Sequence, residues 1–496
     1  MDFFSNLSLA FHVAMGLPNL IACFLGVLFG TMVGVLPGLG PTAAISLLLP
    51  ITFKLSSVQA VIMLAGIYYG AQYGGSITSI LVNIPGEAST VVTCLDGYQM
   101  ARQGRAGAAL GISAFGSFIG GTFAIIMLML IAPALAEVAL KFGAPEMAAL
   151  VFFGLTMVTY LSSGPIIKSL IMATLGILLG FIGTDIETGL PRFTLGMVEM
   201  AGGLGLVPVA MGLFGIAEVM KSLEEPLEIR DVSKSAIKGI LPTKQDWKDS
   251  AGPIARGSVL GFLLGLIPGG GALISSLLSY AMEKRISKHP ERFGKGAIEG
   301  VAGPETANNA GAGGAFVPLL SLGIPTNVVL AVLVGALMIH KITPGPLLVK
   351  DHPELFWGVV GSMYIGNVML LILNIPLIGL WVRFLKIPYG ILFPFITLFC
   401  LIGAYTVNNT VLDIYVMMLF GLLGYGLRKF GYEPAPFVLA FVLGPMFEEE
   451  FRRSLVLSDG SFLIFFSRPI SATFIIISLS LLLLSLFSGK LRRKAG

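Results

Sequence analysis

The chain has 496 residues, of which 55% are hydrophobic and only 12% are charged, and its mean hydropathy is +0.90. Because a soluble domain carries about 25% charged residues, this composition excludes a soluble globular protein and predicts a polytopic membrane protein. The net charge of +4 gives no indication of nucleic-acid binding, and Cys23, Cys94 and Cys400 show neither metal-ligand nor disulfide spacing.

Uncharged apolar runs recur along the chain at about the 20-residue length that crosses a bilayer. Clear examples are residues 107–135, 356–380 and 469–487. The number of such runs predicts an all-α polytopic membrane protein with about ten to twelve transmembrane helices, together with re-entrant or broken hairpins.

A proline-glycine motif interrupts the apolar sequence at residues 34–42 and recurs at residues 265–273, so that Pro268 follows Pro37 by 231 residues. Helix breaks at matching places in two membrane halves are typical of a transporter's substrate site. Free N–H groups at such tips favour an anion such as a carboxylate. The alternative is a pair of kinks that only shape the fold. The substrate-binding residues predicted at the two tips are Pro37, Gly38, Gly40, Pro41, Thr42, Pro268, Gly269, Gly270, Gly271 and Ser275.

A second helix break follows the first one in each half. Residues 83–86 (NIPG) correspond to residues 323–326 (GIPT), with Pro325 following Pro85 by 240 residues. Backbone carbonyls that are freed from a helix at membrane depth suit a coupling ion or the cargo. The ion-coupling residues predicted at these breaks are Asn83, Pro85, Gly86, Gly323, Pro325 and Thr326.

The chain divides into a first membrane half at residues 1–220, a hydrophilic connector at 221–256 and a second membrane half at 257–496. The connector mixes basic and acidic residues, so we expect a solvated loop. The short loop that carries Asp185, Glu187 and Arg192 is expected to be solvated as well.

The segment 303–311 (GPETANNAG) places polar side chains in a run of small residues. Asn308 and Asn309 are adjacent amides that need partners within a membrane and suit a carboxylate, a hydroxyl or a sodium ion. We predict that both bind substrate. Glu305 is predicted to take part in ion coupling, since an intramembrane carboxylate indicates function. The alternative is a favourable charge in the first turn of the following helix.

Basic loops favour the cytoplasmic side of a membrane. The loop at residues 284–295 carries five Lys and Arg residues, and residues 490–494 carry four more, whereas the corresponding first-half loop carries only Lys54. This asymmetry predicts that the two halves are repeats inverted relative to each other.

These motifs together resemble the large membrane subunit of the bacterial tripartite tricarboxylate transporters. The matching segments are residues 34–42, 66–76, 83–88, 96–101, 265–271 and 303–310, with Thr306 standing where the family pattern has alanine. The resemblance implies an ion-driven importer, multi-pass in the bacterial inner membrane. It also implies a small membrane subunit with a few helices, a periplasmic solute-binding protein and citrate-like substrates.

We therefore expect symport of a di- or tricarboxylate with Na+ or H+, without a cofactor and without a metal other than possible transported Na+. The sequence lacks a nucleotide-binding loop, an H-E-x-x-H motif and a nucleophile-base set, so no catalytic residue is predicted and an enzyme is not expected. The scarcity of other intramembrane carboxylates favours sodium over protons. The alternatives are a passive anion channel and a non-transporting membrane scaffold for a receptor. Neither explains polar residues concentrated at paired helix breaks.

Overall fold

The computed structural model describes residues 3–36, 40–162, 164–185, 187–224, 239–385 and 389–492, with the backbone alone at residues 3, 389–392 and 485–492. Pro37 and Gly38, which the sequence predicts at the first tip, lie outside the described residues. The described chain is almost entirely helical. Its strands are β1 (Gly183–Thr184) and β2 (Pro191–Arg192), which form one antiparallel pair.

The helices of the first half lie between residues 3 and 224. They are α1 (Phe3–Ala14), α2 (Leu17–Val35), α3 (Gly40–Thr52), α4 (Ser57–Val82), α5 (Thr93–Arg102), α6 (Ala106–Ala139), α7 (Ala144–Leu161), α8 (Ile166–Gly180), α9 (Leu206–Ala210) and α10 (Ala217–Glu224). A π-helical segment, Met211–Ile216, joins α9 to α10. Short 3-10 turns follow α4 at Ala88–Thr90 and precede α9 at Val198–Met200.

The helices of the second half begin after the connector. They are α11 (Lys244–Gly265), α12 (Gly271–Ile286), α13 (Glu299–Gly314), α14 (Phe316–Leu322), α15 (Val328–Ile339), α16 (Leu348–Asp351), α17 (Pro353–Asn374), α18 (Ile378–Phe384), α19 (Tyr389–Asn408), α20 (Val411–Lys429), α21 (Pro434–Leu457), α22 (Ile464–Ser467) and α23 (Pro469–Arg492). A 3-10 turn, Pro290–Arg292, lies between α12 and α13.

Six helices of the described chain are long and apolar enough to cross a membrane: Leu17–Val35, Ala106–Ala139, Ala144–Leu161, Leu206–Glu224, Pro353–Asn374 and Val411–Lys429. Shorter apolar helices include Gly40–Thr52, Ile166–Gly180, Val328–Ile339, Phe393–Asn408 and Pro469–Leu484. The predicted all-α polytopic class is confirmed, and the number of crossings stays a prediction.

Glycines spaced by four residues bring α2 into backbone contact with α4. A Cβ atom placed on Gly30 would lie 2.5 Å from the carbonyl oxygen of Ile67, closer than a side chain can approach. Two further pairs, Gly26 with Met63 and Gly34 with Ala71, are equally close at 2.3 Å. Small residues permit such close approach of helices in a membrane. The two helices run parallel, because the contact pairs advance in the same chain direction along both.

The same contact pattern occurs between α11 and α13. A Cβ on Gly261 would lie 2.2 Å from the carbonyl oxygen of Ala307. The neighbouring pairs are Gly257 with Gly303 and Gly265 with Gly311, at 2.6 and 2.3 Å. Each glycine follows its first-half counterpart by 231 residues, and each partner follows its counterpart by 240. These are the two offsets that separate the paired helix breaks.

The helix breaks also match in backbone conformation. Gly40 and Gly271, with φ of 48° and 37°, begin α3 and α12. Asn83 and Gly323, with φ of 57° and 75°, end α4 and α14 in the left-handed conformation. Glycine and asparagine are the residues that adopt this conformation at least cost, so the breaks follow directly from the local sequence.

The helices α4 and α13 pack together in opposite directions. Ser76 of α4 contacts Glu305 of α13, whereas the ring centre of the earlier Tyr68 lies 6.0 Å from that of Phe316, which is further along the chain at the start of α14. Both helices are buried almost throughout, within the largest hydrophobic core of the described residues.

Two loop predictions were wrong in part. Residues 244–256 belong to α11, because Thr243 and Asp246 form a reciprocal capping box that starts the helix there. Residues 225–238 of the predicted connector lie outside the described residues.

Asp185 is only 4% exposed, because Arg452 of α21 pairs with its carboxylate at 2.9 Å. Hydrogen bonds from the Thr188 backbone and from Arg452 lower the pKa of Asp185 to about 2.

Candidate functional site

The carboxylate of Glu305 is fully buried at the meeting point of α13 with α4 and α5. Ser76 donates a hydrogen bond to its Oε2 at 2.5 Å, and the hydroxyl of Thr93 donates one to its Oε1. Glu305 is the seventh residue of α13, which begins at Glu299, so it does not lie in a first helical turn. The sequence-based alternative of a helix-terminal charge is therefore wrong.

The two predicted amides lie beside this carboxylate and connect it to α6. Asn308 Nδ2 donates to Glu305 Oε2 at 3.4 Å. Asn309 Nδ2 lies 2.6 Å from Asn308 Oδ1, 2.8 Å from Ser117 Oγ and 3.1 Å from the Glu305 carbonyl oxygen. We call Ser76, Thr93, Ser117, Glu305, Asn308 and Asn309 the carboxylate cluster. It brings together polar groups from four helices of both halves.

A cavity of about 280 Å³ lies at the first helix break. Its walls are residues 40–43 at the start of α3, residues 85–88 after α4, and the side chains of Phe214, Glu218 and Arg428. The tip cavity, as we call it, contains the predicted residues Gly40, Pro41, Thr42, Pro85 and Gly86. The structure therefore brings residues 40–42 of the first tip and residues 85–86 of the second break to one cavity.

Arg428 supplies the cationic side chain of the tip cavity. Its guanidinium pairs with Glu218, donates to the Leu213 carbonyl oxygen at 3.1 Å and lies 5.8 Å from the centre of the Phe214 ring. The other carboxylate in the wall, Glu87, accepts hydrogen bonds at 2.7 Å from the backbone N–H and the hydroxyl of Ser89. A guanidinium offers five donors in a planar fork that matches a carboxylate.

The second tip lies elsewhere. The Gly269 N–H donates to the Thr326 carbonyl oxygen at 2.8 Å, which joins the two breaks of the second half. The Ser275 hydroxyl donates to the Gly271 carbonyl oxygen at 2.7 Å, so it serves its own helix. Pro268 packs against Gly154 of α7. In this conformation the second-tip residues, with Gly270, Gly323 and Pro325, do not line the tip cavity.

Two functional candidates were missed in the sequence analysis. Arg428 lies near the end of an apolar helix and Glu218 lies just before the connector, so each resembles a residue at a membrane boundary. Their contact joins positions 210 residues apart. An arginine in a candidate membrane span was the available signal, but its partner could not be identified from sequence.

The family described as the tripartite tricarboxylate transporter TctA family matches residues 20–439. An uncharacterized 52.8 kDa protein in the TAR-I ttuC' 3' region of Agrobacterium vitis is 51% identical over 486 residues, which are 98% of this chain and 97% of that protein. An uncharacterized protein in the TAR-II ttuC' 3' region of the same organism is 52% identical over 226 residues, 46% of this chain and 93% of that protein. No solved structure matches the chain. The chain is a multi-pass membrane protein, and it belongs to the tripartite tricarboxylate transporter TctA family.

Proposed function

We propose that this chain is the transporting subunit of a carboxylate importer in a bacterial inner membrane. It moves a citrate-like di- or tricarboxylate into the cytoplasm by symport with Na+ or H+. A periplasmic solute-binding protein delivers the cargo, and a small membrane subunit of a few helices completes the assembly. The family supports the tripartite tricarboxylate system, and the tip cavity is the observation that supports a site for the cargo in this chain.

The chemistry of the tip cavity suits a small carboxylate. Its volume of about 280 Å³ is at the lower limit of ligand pockets, so it fits a small acid. Residues 40–43 of the wall form the first turn of α3, where backbone N–H groups have no partner within the helix and the helix dipole favours an anion, and the Thr42 hydroxyl adds a donor. Arg428 would bind a cargo carboxylate in two parallel hydrogen bonds, with Glu218 as its internal partner before the cargo arrives.

The repeated helix pairs support two inverted halves. Within each half the glycine-bearing helix runs parallel to its partner, as α2 does to α4 and α11 does to α13. Because α4 and α13 run in opposite directions, the hairpin of α2 and α3 and the hairpin of α11 and α12 would enter the membrane from opposite sides. Transporters built this way alternate access by moving one part of the protein around the site. An elevator-like movement of the two hairpins is proposed by analogy with other transporters that are built from inverted repeats.

The carboxylate cluster is the proposed coupling centre. Its donors hold the Glu305 carboxylate between the two halves, so a change in charge at Glu305 would alter contacts that both halves share. A bound Na+ and a bound proton would each supply that change. Asn308 contacts Glu305 directly, which supports the prediction that the amide pair is needed for transport, although the cluster does not line the tip cavity in this conformation.

Arg428 provides the test of the cargo site. In proteoliposomes, the double variant Arg428→Gln/Glu218→Gln removes both charges and so leaves no unpaired buried ion. Loss of a charge-assisted contact should raise the KM for radiolabelled citrate by about 10- to 100-fold. The matched control, Arg468→Gln/Glu146→Gln, neutralises an ion pair of 3.2 Å whose residues do not line the cavity and should keep the wild-type KM. A wild-type KM in the Arg428 double variant would show that its ion pair is only structural.

A further inference from the structure

A second, much smaller cavity lies between α4, α6 and α17, beside the carboxylate cluster. It measures about 10 Å³, and its polar lining consists of Tyr73, Ser76, Ser113 and Asn374. A space of this size holds one water molecule or one small ion when polar groups surround it. We call it the small polar cavity.

Asn374 gives this cavity an unsatisfied acceptor. The residue is only 5% exposed, and its Nδ2 donates to the Leu370 carbonyl oxygen at 2.8 Å. Its Oδ1 is buried and has no hydrogen-bond partner among the described residues. Leaving a buried acceptor unpaired costs about 1–3 kcal/mol, so an unpaired oxygen that lines a cavity is a candidate partner for a water molecule or an ion held there.

The second observation concerns the buried carboxyl group of Glu305 beside the small polar cavity. Ser76 lines the cavity and donates to Glu305 Oε2 at 2.5 Å, and Ser113 interacts with the same carboxylate. No Lys, Arg or His of the described chain forms an ion pair with Glu305. A buried carboxylate is stable when a cation or a proton neutralises it, and the small polar cavity is the adjoining space for a cation.

We infer that the small polar cavity is a Na+ site, in which Asn374 Oδ1 and the hydroxyl oxygens of Ser76 and Ser113 ligate the ion beside the Glu305 carboxylate. Hard cations take oxygen ligands of this kind. One carboxylate and otherwise neutral oxygens balance a single positive charge, and a space of one water molecule favours Na+ over larger monovalent cations. This inference rests on the proposed cation symport and identifies the ion and its ligands.

Occupation of this site would couple the two halves. Ser76 and Ser113 belong to first-half helices, whereas Asn374 and Glu305 belong to second-half helices. A Na+ ion ligated by Ser76, Ser113 and Asn374 beside Glu305 would therefore stabilise the conformation in which these helices are together. Ligand binding that depends on one conformation shifts its population, which is what a coupling ion must do.

A sodium titration of the purified full chain in lipid nanodiscs tests the site without a substrate. We would follow the thermal unfolding midpoint while NaCl replaces choline chloride at constant ionic strength, and repeat the titration with KCl. A ligand that binds only the folded state raises the midpoint in a saturable manner. We expect saturation with Na+, and none with K+ at the same concentrations.

Asn374→Leu keeps most of the side-chain volume and removes the oxygen, so the half-saturating Na+ concentration should rise by at least about tenfold. Ser250→Ala is the matched control, because it removes a buried oxygen that also has no hydrogen-bond partner among the described residues and does not line the small polar cavity, and it should keep the wild-type response. If Asn374→Leu does not fold, Ser113→Ala replaces it with the same expectation.

Equal effects of Na+ and K+ on the wild-type chain, or an unchanged Na+ response in the folded variant, would overturn the Na+ site and leave a water in the cavity. Such a result, together with proton-driven citrate uptake, would leave the proposed function intact. Conversely, saturable Na+ binding without carboxylate uptake under any gradient would support the site and contradict the proposed function.

Discussion

Replacing Gly261 by alanine tests the close helix contact that recurs in both halves. The added Cβ would lie 2.2 Å from the Ala307 carbonyl oxygen, whereas ordinary van der Waals contact begins near 3.4 Å. The helices α11 and α13 must therefore separate by about 1 Å, and overpacking of this kind costs about 1–3 kcal/mol. The corresponding change in the first half, Gly30→Ala, meets the Ile67 carbonyl oxygen at 2.5 Å and should destabilise the protein similarly.

Gly426→Ala is the control for helix propensity. Gly426 lies within α20, and a Cβ added there meets nothing within 4 Å. Alanine should stabilise that position by about 0.5–1 kcal/mol, so the stabilities of Gly261→Ala and Gly426→Ala should differ by about 1.5–4 kcal/mol. Thermal unfolding in detergent, followed by loss of the monodisperse species, measures the difference. Equal stability of the two variants would refute the close contact between α11 and α13.

Two further predictions concern the amide pair, Asn308 and Asn309, and the Asp185 loop between β1 and β2. Asn308→Ala and Asn309→Ala should abolish citrate uptake without loss of membrane insertion, and wild-type uptake in both variants would contradict the site assignment. The folded-state pKa of Asp185, about 2, lies below the pKa of the same group in the unfolded chain. The ionised carboxylate therefore stabilises the folded state at pH values above the unfolded pKa. This stabilisation is lost as the pH falls toward 2. Asp185→Asn should therefore have a smaller decrease in thermal midpoint between pH 5 and pH 3 than the wild type, and an identical decrease would contradict the buried pairing with Arg452.

The membrane class and the helix breaks could be predicted because their signals are local. Proline and glycine interrupt a helix wherever they occur, so the structural ends of α4 at Asn83 and of α14 at Gly323 agree with the sequence motifs. The burial of Glu305 was also indicated by the small, uncharged residues around it. The offsets of 231 and 240 residues further predicted which positions would correspond.

The composition of the sites could not be predicted in the same way, because it depends on contacts between distant segments. Arg428 lines the tip cavity and pairs with Glu218, which is 210 residues earlier in the chain. Asn374 shares the small polar cavity with residues of α4 and α6. Asp185 was expected to be solvated because its own loop is polar, but Arg452 covers it from α21. The substrate-binding role expected for the second-tip residues stays a prediction.

The most direct test of the central claim is the uptake of radiolabelled citrate into proteoliposomes that hold this chain and its small membrane subunit. The cognate binding protein is added outside, and a sodium or a proton gradient is imposed in turn. Symport predicts accumulation against the citrate gradient that requires both the binding protein and one of the two ion gradients. Equilibration without a gradient would instead indicate a channel, and no uptake under either gradient would contradict the proposed import of citrate.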